Sequence, residues 1–435
     1  MRILPQKIAI DFTDEQITGS GGAMFLSRVA ARLGLGERLS EGIRIKERRR
    51  GADDSETLMS LIYCLAQGDG TLSDVDRLGC DEARKSILGL DRVPDSRRAG
   101  EYLSRFDDRR IEALMGVAAQ TARGVISPVA EHALAEKGYV PLFIDGTAIE
   151  VEGRSFEGAK AGYDKTVQYW LHNVFVDRLW TSQTLYEGGV DAAHGWREQL
   201  ERTADLLRGQ AGVWLRADNA YYNKDVAEFC KDHGWNYSVS VTSETYKGPL
   251  KKEMANLYDV EWEWINECEQ AAWLAHKPSR WKEWETYVVV RTMVEDGKPL
   301  LVPRHTFILT SRDGLSKEEV VRRHRQKQGQ ENAQKGPLID LDLHHPPCRR
   351  FLANRAYYTL GQIAQILLTA AQYLLLPKTA RIHGIRMVIR DLIRTAAKLV
   401  RHARRWTLLF SKNAKRLDWI NHAADRLESL ARGPG

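Results

Sequence analysis

Pro141-Leu-Phe-Ile-Asp145-Gly-Thr-Ala-Ile-Glu-Val-Glu152 opens as an apolar run of strand length and delivers one carboxylate, Asp145, to a Gly-Thr pair that reads as a turn. Beyond it Ile149 and Val151 alternate with Glu150 and Glu152, as in a half-buried strand. The pattern predicts an acid at the rim of a sheet. Val213-Trp-Leu-Arg-Ala-Asp218-Asn219 has the same grammar, an apolar strand ending in an acid, with a helical segment following from about Asn223. If the two strands are sheet neighbours, Asp145 and Asp218 lie side by side. A third acid, Glu331, falls late in a polar helix predicted to open at Ser316 with the capping-box pattern Ser316-Lys-Glu-Glu319. Three carboxylates from two strands and a helix can hold a pair of Mg²⁺ ions, an arrangement that activates water at a phosphodiester. Each acid also has a plainer reading. Asp145 can cap a turn, Asp218 can cap the next helix, and Glu331 can pair with Lys327 and Lys335 at four-residue spacing for about 0.3–0.5 kcal/mol each.

The 435 residues, 43% hydrophobic, are enough for two or three folded domains and exclude a disordered chain. Lys and Arg number 64 against 58 acids, a net charge of +6 that matters only where it is segregated. Cys64, Cys80, Cys230, Cys268 and Cys348 are scattered and form no CxxC pair, which points away from disulfides and zinc and toward a reducing cytoplasm. His345 and Cys348 are two ligands in a loop and make no metal site. The start carries no signal-peptide apolar region, and the longest apolar stretch, Ile363–Leu376, is interrupted by Gln365 and Gln372, so a soluble protein is expected.

In chain order, residues 1–130 read as helical, with helices at Ala23–Leu33, Glu56–Gln67 and Arg98–Phe106. Among them lies the basic run Arg44-Ile-Lys-Glu-Arg48-Arg49-Arg50, either a solvated loop or a phosphate contact. Residues 138–241 give strands at 140–145, 167–176 and 182–187, a helix at 194–208, a strand at 213–218, a helix at 224–233 and a strand at 236–241. That succession is the order of an RNase H-like α/β sheet. Residues 242–312 read as an all-β insertion with a hairpin turn at Val294–Lys298, and 313–376 as the remainder of the core. Its tryptophans, Trp262, Trp264, Trp273, Trp281 and Trp284, fit cross-strand packing; Trp281, between Arg280 and Lys282, is the one best placed to stack on a nucleobase.

The last region, 377–435, reads as basic and helical. From Pro377 to Arg416 there are twelve cations and one acid, Asp391. Arg386, Arg390, Arg394 and Lys398 recur every four residues beside Ile385, Ile389, Leu392, Ile393 and Leu399, which predicts a docked helix with a cationic stripe. An anionic membrane surface or nucleic acid would suit such a stripe, and the nuclease-like core upstream favours nucleic acid.

Several motifs keep their order along the chain: Gly21-Gly22; Pro94 with Glu101-Tyr-Leu-Ser-Arg-Phe106; Asp145-Gly-Thr147; Gly158-Ala-Lys-Ala-Gly-Tyr163; Leu215-Arg-Ala-Asp218-Asn-Ala-Tyr-Tyr222; Glu331-Asn332; and Ala353-Asn354-Arg-Ala-Tyr-Tyr358. In these the chain resembles the DDE transposases of bacterial insertion sequences, in particular the family of insertion sequence thirteen-eighty. The resemblance implies an α/β fold with an RNase H-like catalytic core interrupted by an all-β insertion, between helical N- and C-terminal regions. It makes Asp145, Asp218 and Glu331 the catalytic and metal-binding triad for two Mg²⁺ ions, with Mn²⁺ as a substitute. The family's Tyr, Arg, Glu, Lys signature falls on His324, Lys327, Glu331 and Leu338, so Lys335 or Arg325 is left to grip phosphate. Trp281 would stack on a displaced base. Arg48 and Arg49, with Arg386, Arg390, Arg394 and Lys398, would contact the backbone. The implied partners are the element's terminal inverted repeats and target DNA, bound by a homodimer in the cytoplasm and on the nucleoid, without a membrane. Two rivals share these features: a catalytically inactive DNA-binding descendant of such an enzyme, and a stand-alone metal-dependent nuclease.

Overall fold

The computed structural model describes residues 8–47, 51–153, 155–162, 165–242, 245–250, 252, 261–311, 314–326, 333–334 and 336–431. Among the described residues the strands are β1 (Gln16–Thr18), β2 (Val140–Glu150), β3 (Lys160–Ala161), β4 (Val167–Val176), β5 (Leu179–Tyr186), β6 (Val213–Ala217), β7 (Asn236–Ser240), β8 (Glu263–Asn266), β9 (Glu269–His276), β10 (Glu285–Glu295), β11 (Lys298–Thr310), β12 (Ala397–His402) and β13 (Arg405–Phe410). The stretch around Asp145 is one uninterrupted strand, and the expected Gly-Thr turn does not form. Gly146 and Thr147 stand opposite His172 and Leu171 of β4. Gly146 is there for close packing: a Cβ would lie 2.4 Å from the Trp170 indole.

One large mixed sheet runs β3-β4-β2-β6-β7-β11-β10-β9-β8, with β5 also paired to β4. β5, β4 and β2 are antiparallel neighbours, β2, β6 and β7 are parallel, and β11 to β8 return to antiparallel pairing. The strands between 263 and 310 therefore extend the central sheet, through Ile308 opposite Ser240, instead of building a sheet of their own. At the β10–β11 turn Asp296 and Gly297 both take left-handed φ, 50° and 74°, which matches the twist of a two-residue hairpin.

The expected N-terminal helices appear as Ala23–Arg32, Asp54–Leu65 and Ser96–Leu103, the second opened by a full capping box between Asp53 and Glu56. They surround the helix Phe351–Leu375, which is buried on almost every side, as a helix apolar all round must be. This helix also covers β5, an edge strand with backbone groups to satisfy. Gln365 Oε1 accepts from Trp180 N at 3.0 Å, Gln365 Nε2 donates to the Arg178 carbonyl at 2.5 Å, and Gln362 Nε2 donates to the Trp180 carbonyl at 3.1 Å. The glutamine at 365 that interrupts the apolar run is thus a cap for a sheet edge. No helix among the described residues is long and apolar enough to cross a membrane.

The C-terminal region departs from the helical expectation. Helical turns cover Ile385–Val388 and Ile389–Ile393, Arg394 leaves the helical conformation at φ −85° and ψ 43°, and the chain then builds the β12–β13 hairpin, which pairs with β1. Lys398 lies on β12, so Arg386, Arg390, Arg394 and Lys398 form no continuous helical stripe. The β-branched and aromatic content of Leu399–Phe410 favours strand, and the i+4 spacing of the cations is coincidental. Gly21 and Gly22 make room for this return: a Cβ on Gly22 would stand 1.9 Å from the Leu392 carbonyl oxygen, and one on Gly21 2.3 Å from Ala397 Cβ.

Candidate active site

The parallel register Leu142–Leu215 and Phe143–Arg216 aligns β2 with β6. Two residues further along each chain come Asp145 and Asp218, where β6 has ended at Ala217 while β2 continues. The sheet thereby brings the two predicted acids together. Burial pushes the Asp145 carboxyl above the usual range, and the charge of Asp218 adds to the push. Three groups oppose it: Gln334 Nε2 donates to Asp145 Oδ2 at 3.1 Å, Gly146 N donates to Oδ1 at 2.9 Å, and the Arg216 guanidinium is close. Arg216 is itself buried, its Nε donating to the His324 carbonyl at 2.7 Å. Asp218 accepts from Ala220 N at 2.9 Å and caps the single 3₁₀ turn Asn219–Tyr221, so the capping role and membership of the acid pair coexist. The next helix, Lys224–Asp232, is capped by Asn223.

Tyr221 and His172 escape a reading of the sequence. Tyr221 is fully buried, and its hydroxyl lies 2.5 Å from Nε2 of His172, the β4 residue opposite Gly146. The rings are stacked, 8° from parallel. Burial, then the charges of Asp145, Asp218 and Asp191, push the Tyr221 hydroxyl far above its ordinary range; burial, then His194, pushes His172 down to about 4. A neutral hydrogen-bonded pair therefore lies against the acids. One signal existed: Asp218 and Tyr221 are three apart, and a 3₁₀ turn superposes such positions.

Lys327, Glu331 and Lys335 lie outside the described residues, as do Arg48 and Arg49. The preceding helix, Lys317–Arg325, opens at Ser316 as expected, with Glu319 N donating to Ser316 Oγ at 3.2 Å, but it ends at Arg325 with Gln326 as its C-cap. Glu319 directs its carboxylate to Arg322 and Arg323. His324, at the signature's tyrosine position, is buried, 3.0 Å from Ser240 Oγ and held down to about 3 by burial. Arg325 makes a two-pronged pair with Glu269 of β9 at 2.5 and 2.8 Å. Trp281 lies in the loop between β9 and β10, half-buried and stacked on Tyr222 with ring centroids 5.8 Å apart, so it packs, though not across strands as expected. Trp264 and Trp284 are the exposed indoles of this region, at 60% and 65%.

Among the described residues no three His, Cys, Asp or Glu side chains gather so as to hold a metal ion, and the described part of the site supplies two carboxylates. An acid whose proton is held more tightly by burial and by a neighbouring carboxylate fits a divalent cation, a hard ion that takes oxygen ligands and relieves their repulsion. A mixed α/β sheet presenting such a pair at the ends of parallel strands is compatible with an enzyme that handles phosphate esters. The model of the transposase DDE domain, group 1, matches residues 2–432, and the chain belongs to this family of transposases, which act on DNA and generally use divalent metals. No curated protein matches the chain significantly.

Proposed function

We propose that the chain cleaves the ends of a bacterial mobile element and joins them to target DNA, by phosphodiester hydrolysis followed by transesterification, in the manner of the family of insertion sequence thirteen-eighty. The observation that carries this reading is the nearness of Asp145, on β2, to Asp218, just past the end of the parallel neighbour β6. The order β5-β4-β2-β6-β7, with β4 antiparallel to β2 and β6 and β7 parallel to it, supports an RNase H-like core. Gln334, three positions past Glu331, touches Asp145, which supports Glu331 as the third acid.

Asp145, Asp218 and Glu331 would hold two Mg²⁺ ions. When bound, the ions would supply an activated water and charge stabilisation for the departing oxygen. The chain's own share is positioning: Gly146 N and Gln334 fix Asp145, the Ala220 amide fixes Asp218, and the Tyr221–His172 pair keeps the floor of the site rigid and neutral. Lys327 and Lys335 are proposed to grip phosphate. Arg325 would join them only by leaving Glu269, and Trp281 would meet a base with the face turned from Tyr222. The working form is proposed to be a homodimer on DNA in the bacterial cytoplasm.

The test is Mg²⁺-dependent nicking of a labelled duplex carrying the element's end, run beside a binding titration in Ca²⁺. Ala at Asp145, Asp218 or Glu331 should abolish nicking and leave binding equal or slightly tighter, whereas Ala at Glu150 or Glu152 should keep substantial activity. Cutting by the Glu331 variant would assign the third ligand elsewhere. Specific binding without any nicking by the wild type would make the chain a binder and not an enzyme.

A further inference from the structure

Five of the cations after Pro377 are engaged with acids. Arg390, Lys415 and Arg416 surround the buried carboxylate of Asp391, Arg394 is bound to Asp69 and the Gln67 carbonyl, and Lys398 pairs with Glu15. Those side chains hold the fold together. Arg401, Arg404 and Arg405 are different: all three are exposed, and among the described residues none has an ion-pair partner. They sit at the tip of the β12–β13 hairpin, whose ten residues from 401 to 410 contain no acid.

Register fixes how these charges point. Arg401 is opposite Trp406 and His402 is opposite Arg405, so each couple shares a face and the two couples lie on opposite faces. The contacts agree, since the Arg401 guanidinium lies over the Trp406 ring, 5.5 Å from its centroid. Arg404 stands in the two-residue turn beside Ala403, whose φ is 56°. The ribbon therefore shows positive charge on both faces and at its end. Its base is fixed by β1 on one side and by Phe410 stacked on Phe25, ring centroids 6.4 Å apart.

A flat anionic surface, such as a membrane, would select cations on one face. A groove with phosphates on both walls selects cations on two. A two-stranded ribbon also fits the DNA major groove, which is about 12 Å wide, and arginine is the side chain suited to phosphate and to guanine edges. We propose that the β12–β13 hairpin is a DNA-binding element whose tip enters the major groove of duplex DNA, Arg401 and Arg405 reaching opposite walls and Arg404 the floor. This rests on the reading of the chain as a protein that acts on DNA.

The experiment uses the full chain and a variant carrying Arg401→Gln, Arg404→Gln and Arg405→Gln, titrated with a fluorescent duplex at several salt concentrations. The expected result is a slope of log K against log salt lower by about 0.9 for each lost phosphate contact, about 1.8 for Arg401 and Arg405 together. Protection of guanine N7 from dimethyl sulfate should also disappear, with an unchanged thermal midpoint showing an intact fold. Arg390→Gln, whose cation is engaged with Asp391, should leave the slope within error. A triple variant with wild-type slope and affinity overturns the hairpin's role, while wild-type binding and nicking leave the transposase reading standing. A lowered slope with N7 protection retained overturns groove entry. Unchanged DNA binding with loss of binding to phosphatidylserine vesicles makes the ribbon a membrane element instead. Absence of DNA binding by the wild type sinks both readings.

Discussion

Replacing Asp145 by Asn should stabilise the metal-free protein and remove most of its response to divalent metal. Asp145 lies on β2 and Asp218 one residue past the end of its parallel neighbour β6, and adjacent strands lie about 4.8 Å apart. Two unit charges at about 5 Å with an effective dielectric of about 20 repel by roughly 3 kcal/mol. Both side chains are only half-buried, so water screens part of this, and the expected gain is about 1–3 kcal/mol in EDTA. The sign with pH follows from linkage. Burial and the Asp218 charge make the folded protein hold the Asp145 proton more tightly than the unfolded chain does, so the wild type loses stability as pH rises above the usual carboxylate range. The Asn variant should not share that loss. A metal held by the pair stabilises the wild type by about 2.7 kcal/mol at a hundredfold excess over Kd. The order of stability should therefore invert, the variant above the wild type in EDTA and below it in saturating Mg²⁺. Urea unfolding followed by tryptophan fluorescence across a Mg²⁺ series measures both arms. An Asn variant no more stable than wild type in EDTA would show that the carboxylates do not repel, and parallel metal responses would put the ion elsewhere.

Gln365→Leu should cost about 1–3 kcal/mol for each of the two backbone groups it orphans, Trp180 N–H and the Arg178 carbonyl, read as a lower urea midpoint; a neutral result would mean that water satisfies the β5 edge. The Arg325 hydrogen bonds hold the Glu269 carboxyl down to about 2, so the pair's contribution is complete above the ordinary glutamate range and is lost as pH falls toward 2. Glu269→Gln should accordingly flatten the acid limb of stability between about pH 4.3 and 2, and an unaltered limb would show that the pair contributes nothing. Gly22→Ala should destabilise by at least about 1–3 kcal/mol, because its Cβ would strike the Leu392 backbone and the helix could yield only by shifting; thermal unfolding at wild-type temperature would refute the close approach.

Strands at 140–145, 167–176, 213–218 and 236–241 were legible because each is an apolar, β-branched or aromatic run bounded by turn residues, and the structure places β2, β4, β6 and β7 there. The C-terminal hairpin was hidden for two reasons. Its cations happen to recur at helical spacing, and its turn, Ala403-Arg404, lacks the Gly or Asn that normally marks left-handed φ. The decisive influence is remote: β12 is a strand because β1, nearly four hundred residues earlier, pairs with it. Tyr221–His172 was illegible for the same kind of reason, since the pairing depends on the register of β4 against β2.

The position of Asp145 shows how a rim can arise inside a strand. A lone acid after an apolar run reads as the end of that strand, yet β2 continues for five residues past it, to Glu150. The neighbour is what ends: β6 stops at Ala217, and the chain turns away through the 3₁₀ turn that Asp218 caps. From that point β2 has β4 on one side and lacks β6 on the other, so the Asp145 carboxyl can accept from its own neighbour's amide, Gly146 N–H, and from Gln334. A shortened β6 thus exposes the first acid and, by ending in a cap, positions the second. Lengthening β6 by two residues would cover Asp145 and carry Asp218 away from it, which is why both acids follow apolar runs in the sequence although only one of them marks a strand end.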